Sequence, residues 1–278
     1  MFRYTKFTLI RELLVWVFSL ILLSPLFLLV INSLKTIEEV TIDPLSLPKN
    51  AQFANFGTVL SSSNTASLPL GLLNSLIVTT IGVCILIVLG SVTAYVLARK
   101  MSRLSKAVFY GILVGIIVPA QLGIVPIFVG ARSLGLLGNI PGLGVIYGLT
   151  LLPLAVFLYA GFVRSIPIDY EEAAFIDGSS KIRTFMRIVF PLLSPATGTV
   201  AIMAGIIMWN DFFTPLIFLN GSESPTIGLV IYGYASSAIT TEWNLVFALL
   251  ILAMLPVTAL YLMFQKKFIQ GFAGGIKS

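Results

Sequence analysis

Apolar residues in this chain come in runs of about twenty residues or more, broken only by an occasional polar residue, Gly or Pro, not as one helix face or an alternating strand. A bilayer's hydrocarbon core is about 30 Å thick and a helix rises about 1.5 Å per residue, so such runs match one crossing each. They predict six spans, at about Leu13–Ile31, Leu72–Leu97, Ala107–Ala131, Leu143–Val163, Leu192–Leu219 and Leu245–Phe264. The expected fold class is an all-α polytopic membrane protein with a single transmembrane domain over residues 1–278. The fifth run carries Pro195, Gly198, Gly205 and Pro215. Such residues are tolerated where neighbouring helices re-satisfy the backbone, so this span is expected inside a packed bundle. The first run is too long for a secretion-signal core and no small-residue cleavage site follows, so it is expected to stay as a span.

Polar stretches separate the runs. On one side lie a segment from Asn32 to Gly71 and another from Asn220 to Asn244, both with Pro, Ser, Thr and Asn, and both expected to be irregular. The second also carries Ile227, Leu229, Val230, Ile231, Tyr232 and Tyr234. It is more apolar than solvent favours, and is expected to fold back into the outer mouth or meet an external partner. There is no internal repeat and no low-complexity tract.

Composition agrees with the pattern: 58% of residues are hydrophobic and 10% are charged, against about a quarter charged in soluble domains. Mean hydropathy is +1.03. The net charge of +6 does not point to nucleic acid, because the charges sit at the ends of the apolar runs. Arg3, Lys6, Arg11, Arg99, Lys100, Arg103, Lys106, Arg164, Lys181, Arg183, Arg187, Lys266, Lys267 and Lys277 fall on one side, 14 in all, and only Lys35, Lys49 and Arg132 on the other. The positive-inside rule then predicts both termini and the 164–191 loop in the cytoplasm.

Some chemistry is excluded. The chain has no histidine and a single cysteine, Cys84, inside an apolar run. The usual zinc sites, Ser-His triads, histidine proton relays and any intrachain disulfide are therefore not available. No lysine directly follows a glycine, so no phosphate-binding P-loop occurs. If ATP drives this protein, another polypeptide binds it, and no cofactor is expected on this chain.

The loop between spans four and five reads Ser165-Ile-Pro-Ile-Asp-Tyr-Glu-Glu-Ala-Ala-Phe-Ile-Asp-Gly178. Pro167 should stop the preceding helix. Asp169 is placed to cap a new one, with Glu172 completing a capping box. Ala173 and Ala174 favour helix. Gly178 suits the left-handed position that ends it, and Ser179 or Ser180 can cap the next. A second helix should run from Lys181 through Ile182, Phe185, Ile188 and Val189 to Pro191. Two short helices bent at a glycine are expected over 165–191.

Here the chain resembles a known family. Glu172-Ala173-Ala174, three residues, Gly178, nine residues, Ile188, one residue, then Phe190-Pro191 resembles the EAA loop of bacterial ABC importer permeases. Phe190 stands where that family usually has Leu, another bulky apolar residue. The resemblance continues in Asn74-Ser75-Leu76, Ala94-Tyr95 with Arg99, Pro119-Ala-Gln121 with Pro126, Leu134-Gly135-Leu136, Trp209-Asn210-Asp211-Phe212 and the tail from Gln265 to Gly275. These are similar to the carbohydrate branch, and in detail to a maltose-type permease with six spans and a short tail.

The resemblance implies an importer permease fold of type I, with the loop docking as a coupling helix in a cleft of a separate ATPase subunit. It implies two ATPase subunits holding ATP and magnesium, a second homologous permease that is identical or different, an extracytoplasmic solute-binding protein, membrane lipid and a sugar substrate. No nucleic acid is expected. Glu172 would make the polar contact, Ala173 and Ala174 would permit close approach, and Gly178 would set the bend.

Each residue also has a plainer reading. Glu172 can simply complete its own capping box. Glu171 and Asp177 are read as solvated loop charges or as further docking residues, and Lys181, Arg183 and Arg187 as orientation signals or ATPase contacts. Asp211, with Trp209 and Asn210, lies in the outer part of span five, where a carboxylate must be paired or wet. It is a substrate-path candidate, an interhelical partner, or the wet end of the span. Asn74 is a path residue or a helix cap. Gly111 and Gly115 have the spacing of a close helix contact. Other functions stay open at this point: an ABC permease for a polyamine, phosphate ester or amino acid, an ion-coupled secondary transporter, or an intramembrane enzyme. The last two require convergent ionisable groups inside the spans, and Asp211 is the only charge well within one.

Overall fold

The computed structural model describes residues 6–61, 67–100, 102–236 and 241–274, and no strand occurs among them. Arg3, Gly275 and Lys277 lie outside the described residues. Helix α1 covers Lys6–Ser33, α2 Ile37–Ile42, α3 Ala54–Ser61 and α4 Leu68–Arg99. Then come α5 Arg103–Ile117, α6 Ile124–Ser133, α7 Ile140–Thr150 and α8 Leu152–Ser165. Helices α9 Asp169–Ile176 and α10 Lys181–Leu192 follow, then α11 Ser194–Asn210, α12 Phe213–Phe218, α13 Ile227–Ala235 and α14 Trp243–Gly274.

Among the described residues three helices are long and apolar enough to cross a bilayer alone: Thr8–Ser33 within α1, α4, and Trp243–Leu262 within α14. Three bent pairs bring the total to six if each is one span. Arg103–Ile117 and Gln121–Ser133 meet at 99°, α7 and α8 at 50°, and α10 and α11 at 70°. The expected third, fourth and fifth spans are therefore not single rods. The cause is proline, which lacks an N–H and pushes the residue before it out of the helical region. Val118, before Pro119, sits at φ −74 and ψ 122, and α5 ends there. Pro153 and Pro195 stand in the first turns of α8 and α11, where a missing N–H costs nothing. Pro195 thus begins α11, at the bend of the fifth span, instead of interrupting a helix. That span stops again at Asp211 and Phe212, before α12.

The residues group into two compact units. The first comprises residues 1–69 and 230–256. Its segment after α1 is helical where irregular chain is expected, because Thr36 and Glu39 form a reciprocal capping box at the start of α2. Asn55 on α3 then donates from Nδ2 to the carbonyls of Ser33 and Lys35 and accepts from Asn244 Nδ2. Lys35 is fully buried and donates to the Asp43 carbonyl at 2.8 Å. Helix α1 keeps Leu13, Leu14, Trp16, Phe18, Leu20 and Ile21 more than half exposed, as a helix surrounded by lipid must.

The second unit comprises residues 70–229 and 257–278. Its core joins α4, α8 and α11 through Leu86, Ala94, Val156, Ala160, Ala196 and Val200. Buried Tyr159 donates to Thr197 Oγ1 at 3.0 Å, tying α8 to α11. Helices α4 and α7 come closest at Gly144 and Gly148, where an added Cβ would lie 2.8 Å from the Ile81 Cβ and 2.7 Å from the Ile85 Cβ. The small-residue contact expected at Gly111 and Gly115 is only half present. Gly111 faces open space, and a Cβ at Gly115 would be 3.0 Å from Pro153 Cγ.

Candidate functional site

The elbow between α8 and α11 forms as the sequence predicts, with one exception at its start. Helix α8 ends at Ser165, before Pro167, and α9 begins at Asp169. Ile168, not Asp169, occupies the capping position, and no side chain caps the helix. The capping box of Asp169 and Glu172 is therefore absent. Asp169 lies one residue too late, and the carboxylates of Asp169, Glu171 and Glu172 in the first turn favour its partial positive charge instead.

The bend itself is closed by backbone bonds. Gly178 has φ +78, and its N–H donates to the Phe175 carbonyl while the Ser179 N–H donates to that of Ala174. This pairing satisfies the carbonyls that end α9 and needs a left-handed residue at Gly178. Ser180 then caps α10, its Oγ accepting from the Arg183 N–H. Phe185 to Val189 forms a turn of π-helix that turns Phe185 and Val189 inward.

The two glutamates of the motif diverge. Glu172 is exposed, beside exposed Ala173, and Asp177 is exposed near the end of the same helix. Ala174 is buried. Glu171 is only 4% exposed, so the expectation of a solvated loop charge fails for it. Its Oε1 accepts from Arg99 Nε at 2.7 Å and its Oε2 from the Tyr95 hydroxyl at 2.6 Å. Arg99 Nη2 also donates to the Ile166 carbonyl at 2.9 Å. Arg99 is the last residue of α4, and the Tyr95 ring packs on Phe185 of α10 with centroids 5.0 Å apart. One cluster thus joins the end of α4 to both arms of the elbow. The pairing of Tyr95 and Arg99 with Glu171 is not legible in the linear pattern, since a basic residue ending an apolar run reads first as an orientation signal.

Around Glu172 the outer surface of the elbow is apolar. Ile168, Tyr170, Phe175, Ile176 and Ile182 are 51%, 55%, 41%, 87% and 78% exposed. These exposed apolar side chains share the elbow with the exposed Glu172 carboxylate.

At the other end of the second unit the four path candidates are not brought together as one pocket. Trp209 is buried, so its ring offers no face to a passing ligand. Asn210 is exposed, its Nδ2 donating to the Ile206 carbonyl of its own helix. The Asp211 carboxylate is fully engaged. It accepts from the Tyr147 hydroxyl at 2.8 Å, from the Phe213 N–H at 2.8 Å, and from the Thr214 hydroxyl and N–H. It is an interhelical partner that also caps α12. Asn74 sits inside α4, six residues past its start, so it is no helix cap; its Nδ2 donates to the Pro225 carbonyl at 2.9 Å. Neighbouring Ser75 accepts from the Ile227 N–H at 2.8 Å, at the start of α13. A cleft of about 550 Å³ lined by Phe128, Leu137, Leu216, Ile217, Phe218 and Asn220 includes none of the four. Among the described residues no three Cys, Asp or Glu side chains converge as a metal site would require.

Comparison with known proteins agrees with this architecture. A crystal structure of a bacterial ABC transporter involved in the import of the acidic polysaccharide alginate has a chain that matches with a TM-score of 0.82. The match covers 96% of this chain and 99% of that one at 23% identity, and so shows the same fold. The probable starch degradation products transport system permease protein AmyC of Thermoanaerobacterium thermosulfurigenes is 34% identical, over 94% of each chain. The melibiose/raffinose/stachyose import permease protein MelC of Bacillus subtilis is 34% identical over 90% of each. The multiple sugar-binding transport system permease protein MsmG of Streptococcus mutans is 33% identical over 95% of each. Residues 86–273, which hold α8 to α12 and the whole elbow, match the family of binding-protein-dependent transport system inner membrane components, and this multi-pass membrane protein belongs to that family.

Proposed function

We propose that this chain is a membrane-spanning subunit of an ATP-driven importer for a sugar or oligosaccharide, and that the α9–α10 elbow is where a separate ATPase subunit docks. The exposed apolar patch around Glu172 carries this reading. Ile176 and Ile182 are 87% and 78% exposed in the isolated chain, an apolar surface of the kind that a partner covers. Glu172 at the patch supplies one charge for a cation of the partner, and Ala173 allows the partner's backbone to approach. Asp177 lies at the rim.

The assembly proposed has two ATPase subunits, which hold ATP and magnesium, a second homologous permease and an extracytoplasmic binding protein. The 14-to-3 distribution of basic residues supports placing the elbow and both termini in the cytoplasm. Sugar as the cargo is supported by the relatives whose names specify starch degradation products, melibiose, raffinose and stachyose.

Movement of the docked elbow would reach the bundle through Glu171. A displacement of α9 pulls on Arg99 and Tyr95, and hence on α4, before any flexible segment can absorb it. Glu171 in this reading is an internal link, not a docking residue. At the outer end, Asn210 is the exposed polar group that a sugar hydroxyl can meet, while Trp209, Asp211 and Asn74 hold the wall that presents it.

The test is purification of the complex in mild detergent with mass spectrometry of its components, alongside uptake of labelled oligosaccharides. An ATPase chain should co-purify, and Glu172→Ala should release it and abolish uptake. A particle without any nucleotide-hydrolysing subunit, or one whose ATPase stays bound and coupled in Glu172→Ala, would overturn the docking assignment.

A further inference from the structure

Three cations of the second unit meet at one level of the bundle without a carboxylate partner. Lys100 follows the last residue of α4, Lys106 lies in the first turn of α5, and Arg164 is in the last turn of α8. With Leu97, Phe109 and Tyr110 they line a cleft of about 280 Å³ between the ends of these packed helices. Among the described residues the one ion pair is Arg99 with Glu171, so none of the three cations at the cleft is paired with a carboxylate. Arg164 is not free to wander, since its guanidinium lies over the Phe109 ring at 4.7 Å and Phe109 is buried. That contact fixes the cation and leaves its N–H edge for a ligand.

We propose that this cleft binds the phosphate of an anionic phospholipid headgroup. Three cations of one sign call for an anion, and a phosphate accepts from both lysine ammonium groups and the guanidinium edge together. The same chemistry would suit free inorganic phosphate, and the surroundings decide for lipid. At the rim of the cleft, Tyr110 on α5 is 65% exposed, and Val96 on α4, next to the lining Leu97, is 50% exposed. The cleft therefore opens where outward apolar surface gives way to charge, at the depth of a headgroup. Acyl chains can lie along the exposed side chains while the phosphate enters between the cations, and a water-borne ion gains nothing from that apolar margin. The exposed Tyr110 ring at the rim fits the headgroup level, where amphipathic aromatics concentrate.

The inference uses the proposed cytoplasmic placement of this end, where the leaflet is rich in anionic lipid. It does not use the elbow, and the experiment separates the two. The assembled importer is purified in detergent, exposed to phosphatidylglycerol or phosphatidylcholine, and examined by native mass spectrometry for retained lipid. Wild-type complex should hold phosphatidylglycerol and not phosphatidylcholine, and millimolar sodium phosphate should not displace it. Each cation removed should weaken retention roughly fivefold, so Lys106→Gln with Arg164→Gln should weaken it roughly 25-fold. Lys106→Arg with Arg164→Lys should restore it, which guards against misfolding of the neutral variant. Equal retention by the neutral variant overturns the site. Displacement by phosphate makes it a free-anion site instead. Loss of the ATPase along with the two charges makes it part of the docking surface. Absence of any ATPase from the wild-type particle counts against the proposed function and leaves the lipid result readable.

Discussion

Glu171 and Arg99 stand 72 positions apart in sequence, and their charged atoms meet at 2.7 Å. The pair is largely shielded, with side chains 5% and 19% exposed. Removing one partner from such a pair leaves an uncompensated charge and costs about 3–5 kcal/mol. The Tyr95 hydroxyl and the Ile166 carbonyl complete the coordination of both charges, which makes the joint between α4 and α9 stiff.

Glu171→Ala should therefore lower both the melting temperature of the purified protein and uptake. The double variant Glu171→Leu with Arg99→Met should recover stability relative to either single change, because no buried charge is left alone. It should not recover the uptake per ATP hydrolysed, since the joint is gone. Thermal melts with paired ATPase and uptake assays check this, and a double variant with wild-type coupling would show that the pair is only a stabiliser.

Gly178→Pro should abolish uptake and leave the amount of protein in the membrane unchanged. Proline fixes φ near −65°, whereas this position needs +78. Gly178→Ala should be milder, at about 1–2 kcal/mol of local strain. Uptake together with membrane quantification separates a misdirected elbow from a failure to fold.

Gly148→Leu should be worse than Gly111→Leu by a wide margin. The first drives a side chain into Ile85 and forces α4 and α7 apart, whereas the second points into open space. Overpacking of this kind costs about 1–3 kcal/mol or more. Membrane levels and melting temperature should both fall for position 148 alone, and equal behaviour would contradict the close approach.

Tyr147→Phe should leave Asp211 Oδ2 short of one donor, at a cost of about 1–3 kcal/mol. Trp209→Ala should act as a core truncation, at about 3–5 kcal/mol. Both should reduce stability first, with sugar affinity changed only through the displaced outer wall. Asn210→Ala should instead change uptake kinetics with the melting temperature intact. An unaltered affinity in that variant, measured from the concentration dependence of uptake, would remove Asn210 from the substrate path.

The chain expressed alone should show no affinity for ATP, measured by calorimetry with magnesium present, since its sequence has no P-loop. Micromolar binding would contradict the separation of permease from ATPase.

Much of the architecture was legible from residues alone, for reasons that are local. Runs of about twenty mostly apolar residues have one stable solution in a bilayer, so the expectation of six spans follows from length and composition. Pro167, Gly178 and Ser180 each act within a turn or two of themselves, and the elbow was readable for that reason. Even the unexpected helix α2 had its signal in Thr36 and Glu39, a capping pair three residues apart inside a stretch whose polar composition suggested a loop.

What the sequence could not decide was which polar groups face each other. Glu171 and Glu172 are adjacent and chemically identical, yet one is buried on Arg99 and the other is exposed, because successive residues on a helix point about 100° apart. Asp211 suits a substrate path, an interhelical pair or the wet end of a span by sequence alone, and its bonds from Tyr147 and Thr214 make it the interhelical partner. Gly111 and Gly115 carried the same spacing as Gly144 and Gly148, and only packing showed which pair another helix approaches. The one-dimensional pattern fixes what each segment must do with its backbone in lipid. Partners distant along the chain are chosen by three-dimensional packing, since hydrogen bonds and close contacts depend on ångström distances that no local spacing encodes.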